Sequence, residues 1–211
     1  MRTAATWRRL CATATAAALV LLPGCTRVPE HADWVIHSAV EVIGPPPPGG
    51  YRLLFPYVVG DLYGSANTGY FVVPVSSGAG GFTLDLNRTQ RALEAELTPT
   101  AFSLGFLKIT PADARIARLA PLALQRNGID PVGTVQWQGA PGGPALMLLY
   151  VDRPALIAGV FSRGGQTIRY DIRAAQPGYL WIAGLRRGAG ETLYTVAPRP
   201  RHPTLTIITQ P

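Results

Sequence analysis

The sequence predicts a mainly β protein in which short strands pack as a sandwich. Two observations favour this class: apolar and polar side chains alternate along many short segments, and turns rich in glycine and proline separate those segments. The chain of 211 residues contains 23 glycines and 20 prolines, and 47% of its residues are hydrophobic. That apolar share is sufficient for a substantial core.

The first 24 residues differ in composition from the rest of the chain. Residues 1–9 carry only positive charges, and Leu10–Leu22 is mostly apolar and uncharged. A short basic segment followed by about 7–15 apolar residues is typical of a secretory signal peptide. The run is too short for a membrane-spanning helix, which takes about 20 apolar residues.

Leu22-Pro23-Gly24-Cys25 ends the apolar run and resembles the lipobox of bacterial lipoproteins. Leu22 and Gly24 match the aliphatic and the small position of that motif, whereas Pro23 differs from its usual small residue. The resemblance implies cleavage before Cys25, acylation of that cysteine with fatty acids such as palmitate, and a lipid anchor. Because Thr26 stands where an inner-membrane retention signal has aspartate, it also implies an outer-membrane location facing the periplasm.

Two alternatives stay open for this leader. An ordinary signal peptide followed by an incidental cysteine would have the same composition. Arg8-Arg9 leaves twin-arginine export open beside the general route. Cys11 lies within the leader, so cleavage before Cys25 leaves one cysteine and permits no intrachain disulfide.

The charge of the mature part excludes one class of function. Removing residues 1–24 takes away three arginines and no acid, so the formal net charge falls from +7 to +4. This charge is ordinary for a soluble domain. Nucleic-acid binding requires a basic patch with interleaved aromatic residues, and none stands out. We therefore expect no nucleic-acid partner.

Two further parts are expected after the leader, residues 1–24. Residues 25–50 form a lipid-anchored tether, a first strand and a proline-rich loop. Residues 51–211 form the β-rich domain, either undivided or as two packed halves, 51–128 and 129–211.

Alternating apolar residues predict a strand at 33–43 and three more at 51–59, 69–75 and 82–86. Seven further strands follow, and their regular spacing predicts an immunoglobulin-like or transthyretin-like β-sandwich. These seven candidates are 132–138, 145–152, 155–161, 166–174, 179–186, 192–197 and 204–209.

One or two short helices are expected before the C-terminal strands. Residues 88–97 are rich in helix formers, although a strand is an alternative there. The second helix is expected over residues 111–125. Thr110 provides its N-cap, Pro111 its first position and Asp113 an acid in its first turn. Pro121 is expected to kink or divide it.

No catalytic, metal-binding or nucleotide-binding constellation is found, and no cofactor is expected. The histidines, His31, His37 and His202, are too few and too scattered for a zinc site or a serine-histidine-aspartate triad. Asp152 and Asp171 lie on neighbouring candidate strands, but the arginines beside them favour ion pairing. We therefore favour a role other than catalysis.

Aromatic residues are concentrated in the first strands and in one late strand. On an exposed sheet face they could stack on sugar rings or contact a protein partner, although core packing is the expected role of most of them. The candidate interaction surface consists of Tyr51, Tyr63, Tyr70, Tyr179 and Trp181.

These features predict a lipid-anchored cell-envelope protein that acts as a structural or binding module. Its expected partners are the membrane, through the N-terminal lipid, and an envelope protein or glycan. The alternative is a carbohydrate-active or other envelope hydrolase that uses scattered carboxylates. A hydrolase of that kind requires a concave pocket with two carboxylates about 5–10 Å apart.

Overall fold

The computed structural model describes residues 33–60, 62, 70–73, 75–78, 80–98, 106–140 and 142–209. These residues belong to one compact unit, Asp33–Pro211. They form fifteen strands and one helix, so the prediction of a mainly β protein is confirmed. The leader, Cys25 and Tyr63 lie outside the described residues.

Most strands lie within one or two residues of the positions that the alternation predicts. The N-terminal strands are β1 (Val35–Ile43), β2 (Tyr51–Val59), β3 (Tyr70–Val73), β4 (Val75–Gly78) and β5 (Gly81–Asp85), followed by the helix α1 (Gln90–Glu96). Three short strands come next, β6 (Leu107–Thr110), β7 (Ile116–Leu119) and β8 (Leu122–Gln125). The C-terminal strands are β9 (Thr134–Gln138), β10 (Ala145–Val151), β11 (Ala155–Arg163), β12 (Gln166–Ala174), β13 (Gly178–Arg186), β14 (Glu191–Ala197) and β15 (Thr204–Ile208).

Strand β10 is the branch point of the sheet because it pairs with three strands. One edge pairs with β13; along the other edge, Ala145 and Leu146 pair with β9, and residues 148–151 pair with β7. One branch continues from β9 through β15, β1, β5 and β4, and the other from β7 to β2, which also pairs with β3 and β8. Beyond β13 the sheet continues through β14, β12, β11 and β6.

The first hydrophobic cluster lies between the two branches. It combines buried residues of β1, β5, β9 and β15 with buried residues of β2, β3 and β7. Trp137 packs in it, with its ring centroid 5.9 Å from Phe55, 5.7 Å from Phe82 and 5.4 Å from Trp181. The two branches therefore pack face to face, as the layers of a sandwich do.

The second cluster lies on the other face of β10 and β13. It contains Leu149, Ile182 and buried residues of β6, β11 and β12. Along β10, Leu148 and Tyr150 belong to the first cluster, and Leu149 and Val151 to the second. Burial on both faces explains why residues 145–151 are a continuous apolar run rather than an alternating one.

Helix α1 confirms the helical interpretation of residues 88–97. Its one buried side chain, Leu93, packs into the first cluster, while the other side chains of Gln90–Glu96 are half-buried or exposed. Just before the helix, the Thr89 hydroxyl donates a hydrogen bond to the Leu86 carbonyl at 3.2 Å.

Residues 111–125 form no helix, so the prediction of a capped helix there is wrong. Thr110 ends β6, a turn follows, and β7 and β8 occupy the rest. Pro111 and Pro121 leave only nine residues between them, too few for a helix to be stable without strong packing. The apolar residues that fit helical spacing instead place β7 between β10 and β2, where its backbone pairs on both edges.

Candidate functional site

A basic groove lies at the start of the described domain, where the loop between β14 and β15 packs against β1. This loop, Pro198-Arg199-Pro200-Arg201-His202-Pro203, is called the basic loop below. The groove is a cavity of about 180 Å³ lined by Val35, Ile36, His37 and Trp181 and by residues of the basic loop. None of the described residues that line it carries a carboxylate.

Arg199 fixes the basic loop to the first residues of the domain. Its guanidinium donates a hydrogen bond to the Val35 carbonyl at 3.1 Å, and its central carbon lies 4.6 Å from the centroid of the Trp34 ring. The second contact is a cation–π interaction. Three prolines restrict the backbone of the loop, so the two arginines are held at this end of the domain.

The positive charge of the basic loop is not balanced by the described acids. Arg199 and Arg201 are exposed, and neither forms an ion pair with a described carboxylate. Asp33, which precedes Trp34 in the chain, accepts a hydrogen bond from the Asn87 side-chain amide at 2.9 Å. The groove therefore presents uncompensated positive charge to solvent.

Two of the three histidines lie at the same end. His37 and His202 line a second, shallower cavity of about 460 Å³, and His37 Nδ1 lies 3.1 Å from the Thr83 hydroxyl oxygen. Among the described residues no group of three or more histidine, cysteine, aspartate or glutamate side chains could hold a metal ion. His31 lies outside the described residues.

Asp152 is enclosed by arginines rather than by a pocket. Its carboxylate accepts hydrogen bonds from the Arg115 backbone N–H at 2.8 Å and from Arg115 Nε at 3.0 Å. Arg153 binds the same carboxylate at 3.2 Å and also contacts Asp113. The Asp152 side chain is 8% exposed.

The pKa of Asp152 is lowered, although burial acts in the opposite direction. Desolvation of the carboxylate would raise this pKa, and the hydrogen bonds from Arg115 and Arg153, together with the charge of Arg153, outweigh it. A carboxylate with a lowered pKa is a poor general acid.

Asp171 is half exposed and pairs with Arg173 two residues along the same strand, at 2.9 Å. Each aspartate is therefore held by arginine, but the predicted neighbouring position is wrong, because β13 and β14 lie between β10 and β12. The predicted pairing across strands is not found for Asp171, since Arg169 pairs with Glu191 instead.

The predicted aromatic surface is wrong for two of its members. Tyr179 is 7% exposed and Trp181 is 2% exposed, because both point into the first hydrophobic cluster. Trp181 lines part of the basic groove. Tyr51 is half-buried on β2, and Tyr70 is described only by its backbone pairing in β3.

The buried tyrosines form a hydrogen-bonded group under α1. The Tyr150 hydroxyl donates to Glu94 Oε1 at 2.5 Å, and the Tyr179 hydroxyl donates to the Leu86 carbonyl at 3.4 Å. Burial is the main cause that raises the pKa of Tyr179 to about 12, and it raises that of Tyr57 as well. These hydroxyls therefore remain protonated at neutral pH, and that of Tyr150 joins α1 to β10.

Sequence reasoning missed the basic groove although one signal was present. The alternation of proline with arginine and histidine over residues 198–203 is unusual for a turn between strands. Its significance depends on a contact with a distant residue: Trp34, just before β1, is 165 residues earlier in the chain than Arg199.

No helix among the described residues is long and apolar enough to cross a membrane. No protein-family model matches the chain, and neither a curated protein nor a solved structure shows significant similarity to it.

Proposed function

We propose that this chain is a lipid-anchored binding module of a bacterial cell envelope. Cys25 carries the anchor, most simply in the outer membrane on its periplasmic side. The described domain then contacts a second component of the envelope. The observation that carries the proposal is the order of the chain: a basic segment, an apolar run, the lipobox-like residues ending at Cys25, and a compact β unit that begins at Asp33.

The two ends of the domain support this role because one end is basic and the other exposes apolar side chains. Trp34 and the basic loop lie at the end where the chain enters the domain. At the far end, where β1 finishes, Ile43 pairs with Ile208 and Ile208 pairs with Thr134 of β9. Two exposed apolar side chains belong to this far end: Ile43 (48% exposed), the last residue of β1, and Ile129 (82%), in the turn before β9.

Exposed apolar side chains at one end of a domain favour contact with a protein partner. A domain anchored through Cys25 would present this far end away from the membrane. An envelope protein is therefore the partner that we favour, and an envelope glycan is the alternative.

The hydrolase alternative has less support. Asp152 and Asp171 are each held by arginine, and no carboxylate of the described residues lines either of the two cavities above. No described feature favours hydrolysis over binding.

Photocrosslinking in cells tests the binding role. A photoreactive amino acid placed at Ile129 should capture a specific envelope protein, because this side chain is the most exposed of the large apolar residues described. The matched control is the same amino acid at Arg187, which is exposed in the turn between β13 and β14. Capture of one species from position 129 and not from 187 supports the proposal. Equal labelling from both positions, or capture of nothing but lipid from position 129, contradicts it.

A further inference from the structure

We propose that the basic loop docks on the anionic lipid headgroups of the membrane that holds the protein, and so orients the domain. This inference rests on the proposed anchor at Cys25 and adds a second contact to it. The loop would supply the electrostatic contact, and the acyl chains would supply the hydrophobic one.

The length of the tether keeps the basic loop near the bilayer. Asp33 is eight residues after Cys25, and eight fully extended residues span at most about 28 Å. Arg199 contacts Trp34 and Val35, the two residues that follow Asp33. The loop therefore lies at the root of the tether, which is the part of the domain with the shortest reach to the membrane.

The charge of the loop matches an anionic surface. Arg199 and Arg201 are exposed and have no described carboxylate as a partner. Each arginine close to an anionic membrane changes partitioning by about five- to sixfold, so the pair contributes about 30-fold. Two arginines are too few for stable binding of a free protein, but they suffice to bias the orientation of a protein that is already anchored.

The orientation is consistent with the rest of the domain. The loop and the far end, marked by Ile129, lie at opposite ends of β1, a strand of nine residues. Docking through the loop would therefore leave the exposed apolar residues of the far end free to meet a partner.

The test supplies the anchor chemically, so that it does not depend on lipidation in cells. A chain that begins at residue 25 keeps the whole compact unit, Asp33–Pro211, with both hydrophobic clusters. Cys25 is its only cysteine and is coupled to a maleimide lipid in vesicles. Energy transfer from tryptophan to dansyl-labelled headgroups then reports how closely the domain, with Trp34 at its base, approaches the surface.

We expect more energy transfer on vesicles that contain phosphatidylglycerol than on pure phosphatidylcholine. The difference should vanish in about 1 M salt, where the screening length is about 3 Å. The double variant Arg199→Gln/Arg201→Gln should lower the ratio of docked to free domain about 30-fold, and Arg199→Lys/Arg201→Lys should retain most of it. The control Arg186→Gln/Arg187→Gln removes the same charge at the opposite end of β14 and should behave as the unchanged chain.

Three results would overturn the inference: equal transfer on both kinds of vesicle, equal loss in both glutamine variants, or loss of docking in millimolar inorganic phosphate at constant ionic strength. The second result would show that docking depends on net charge rather than on the basic loop. The third would show that the loop binds a small soluble anion rather than lipid headgroups. Thermal unfolding of each variant shows whether it is folded. Because the lipid is supplied by chemical coupling, the two proposals can fail separately. A failed vesicle experiment would contradict docking by the basic loop but not acylation of Cys25 in cells. An unacylated Cys25 in cells would contradict the anchor but not the vesicle result.

Discussion

Asp152 has the kind of side chain that hydrolases use in catalysis, but its contacts indicate that it stabilises the fold. Its side chain is almost fully buried and joins the segment before β7 to the end of β10 through Arg115. Arg153 adds a second positive charge. Removing one partner of a buried ion pair is costly because the other charge loses its compensation.

We predict that Asp152→Asn lowers the free energy of unfolding at pH 7 by about 2 kcal/mol, the range for hydrogen bonds to a charged group. The control, Asp171→Asn, should change it by less than about 0.5 kcal/mol, because Asp171 and Arg173 are 46% and 76% exposed. Denaturation by urea measures both values. Similar losses in the two variants would contradict this account.

The pH dependence of the same variant follows from the lowered pKa of Asp152. A carboxylate with a lowered pKa in the folded state stabilises the protein above its unfolded pKa of about 4, and this stabilisation is lost as pH falls through the folded value. The difference between the unchanged chain and Asp152→Asn should therefore shrink in acid. A difference that stays constant down to about pH 2 would contradict the lowered pKa.

The short strand β6 can pair with its neighbour only where that neighbour has no side chain in the way. Among the described strands it is an edge strand of four residues that pairs only with β11, and its partner position opposite Leu107 is Gly159. A Cβ atom at Gly159 would overlap the Phe106 carbonyl oxygen. The pairing of β6 therefore depends on a glycine in a neighbouring strand.

We predict that Gly159→Ala lowers the free energy of unfolding by about 1–3 kcal/mol, as overpacking does, and exposes the backbone of β6 to hydrogen exchange. Gly78→Ala is the control, because a Cβ atom at Gly78 in β4 meets nothing within 4 Å. Hydrogen exchange read by mass spectrometry over residues 106–110 measures the effect. Unchanged protection in Gly159→Ala would show that β6 does not pair as described.

The long strands could be predicted from the sequence because their signal is local. Residues 166–174 are predicted as a strand and form β12 with the same bounds. The three short strands β6, β7 and β8 could not be predicted in this way, because four residues are too few to establish a period. In Ile116–Leu119, pairing with β10 and β2 decides the conformation. The basic groove could not be predicted either, because Trp34 and Arg199 are distant in sequence and meet only in the folded chain.

At the scale of the whole molecule, β10 and β13 are shared by both hydrophobic clusters. Leu148 and Trp181 belong to the first cluster, and Leu149 and Ile182 belong to the second. Unfolding of β10 and β13 would expose buried side chains of both clusters at once. We therefore expect the domain to unfold in a single cooperative transition.

We predict that Leu149→Ala, which removes a fully buried side chain of the second cluster, lowers the free energy of unfolding by about 3 kcal/mol. The core tryptophans Trp137 and Trp181 report on the first cluster. Their fluorescence and the far-UV circular dichroism should nevertheless shift together. If the fluorescence transition stays in place while the circular dichroism signal moves, the two clusters unfold independently.

The proposed lipid anchor would determine where the whole molecule is located, and it depends on one cysteine, Cys25. Mass spectrometry of the N-terminal peptide of the protein isolated from its host membrane tests this most directly. We predict a chain that begins at Cys25 and carries fatty-acyl mass on that residue, and a Cys25→Ser protein without that mass. A Cys11→Ser protein, which changes the other cysteine of the chain, should still be acylated. A mature chain with Cys25 as a free thiol, or one that begins beyond residue 25, would contradict the proposal that this domain is held at the membrane by lipid.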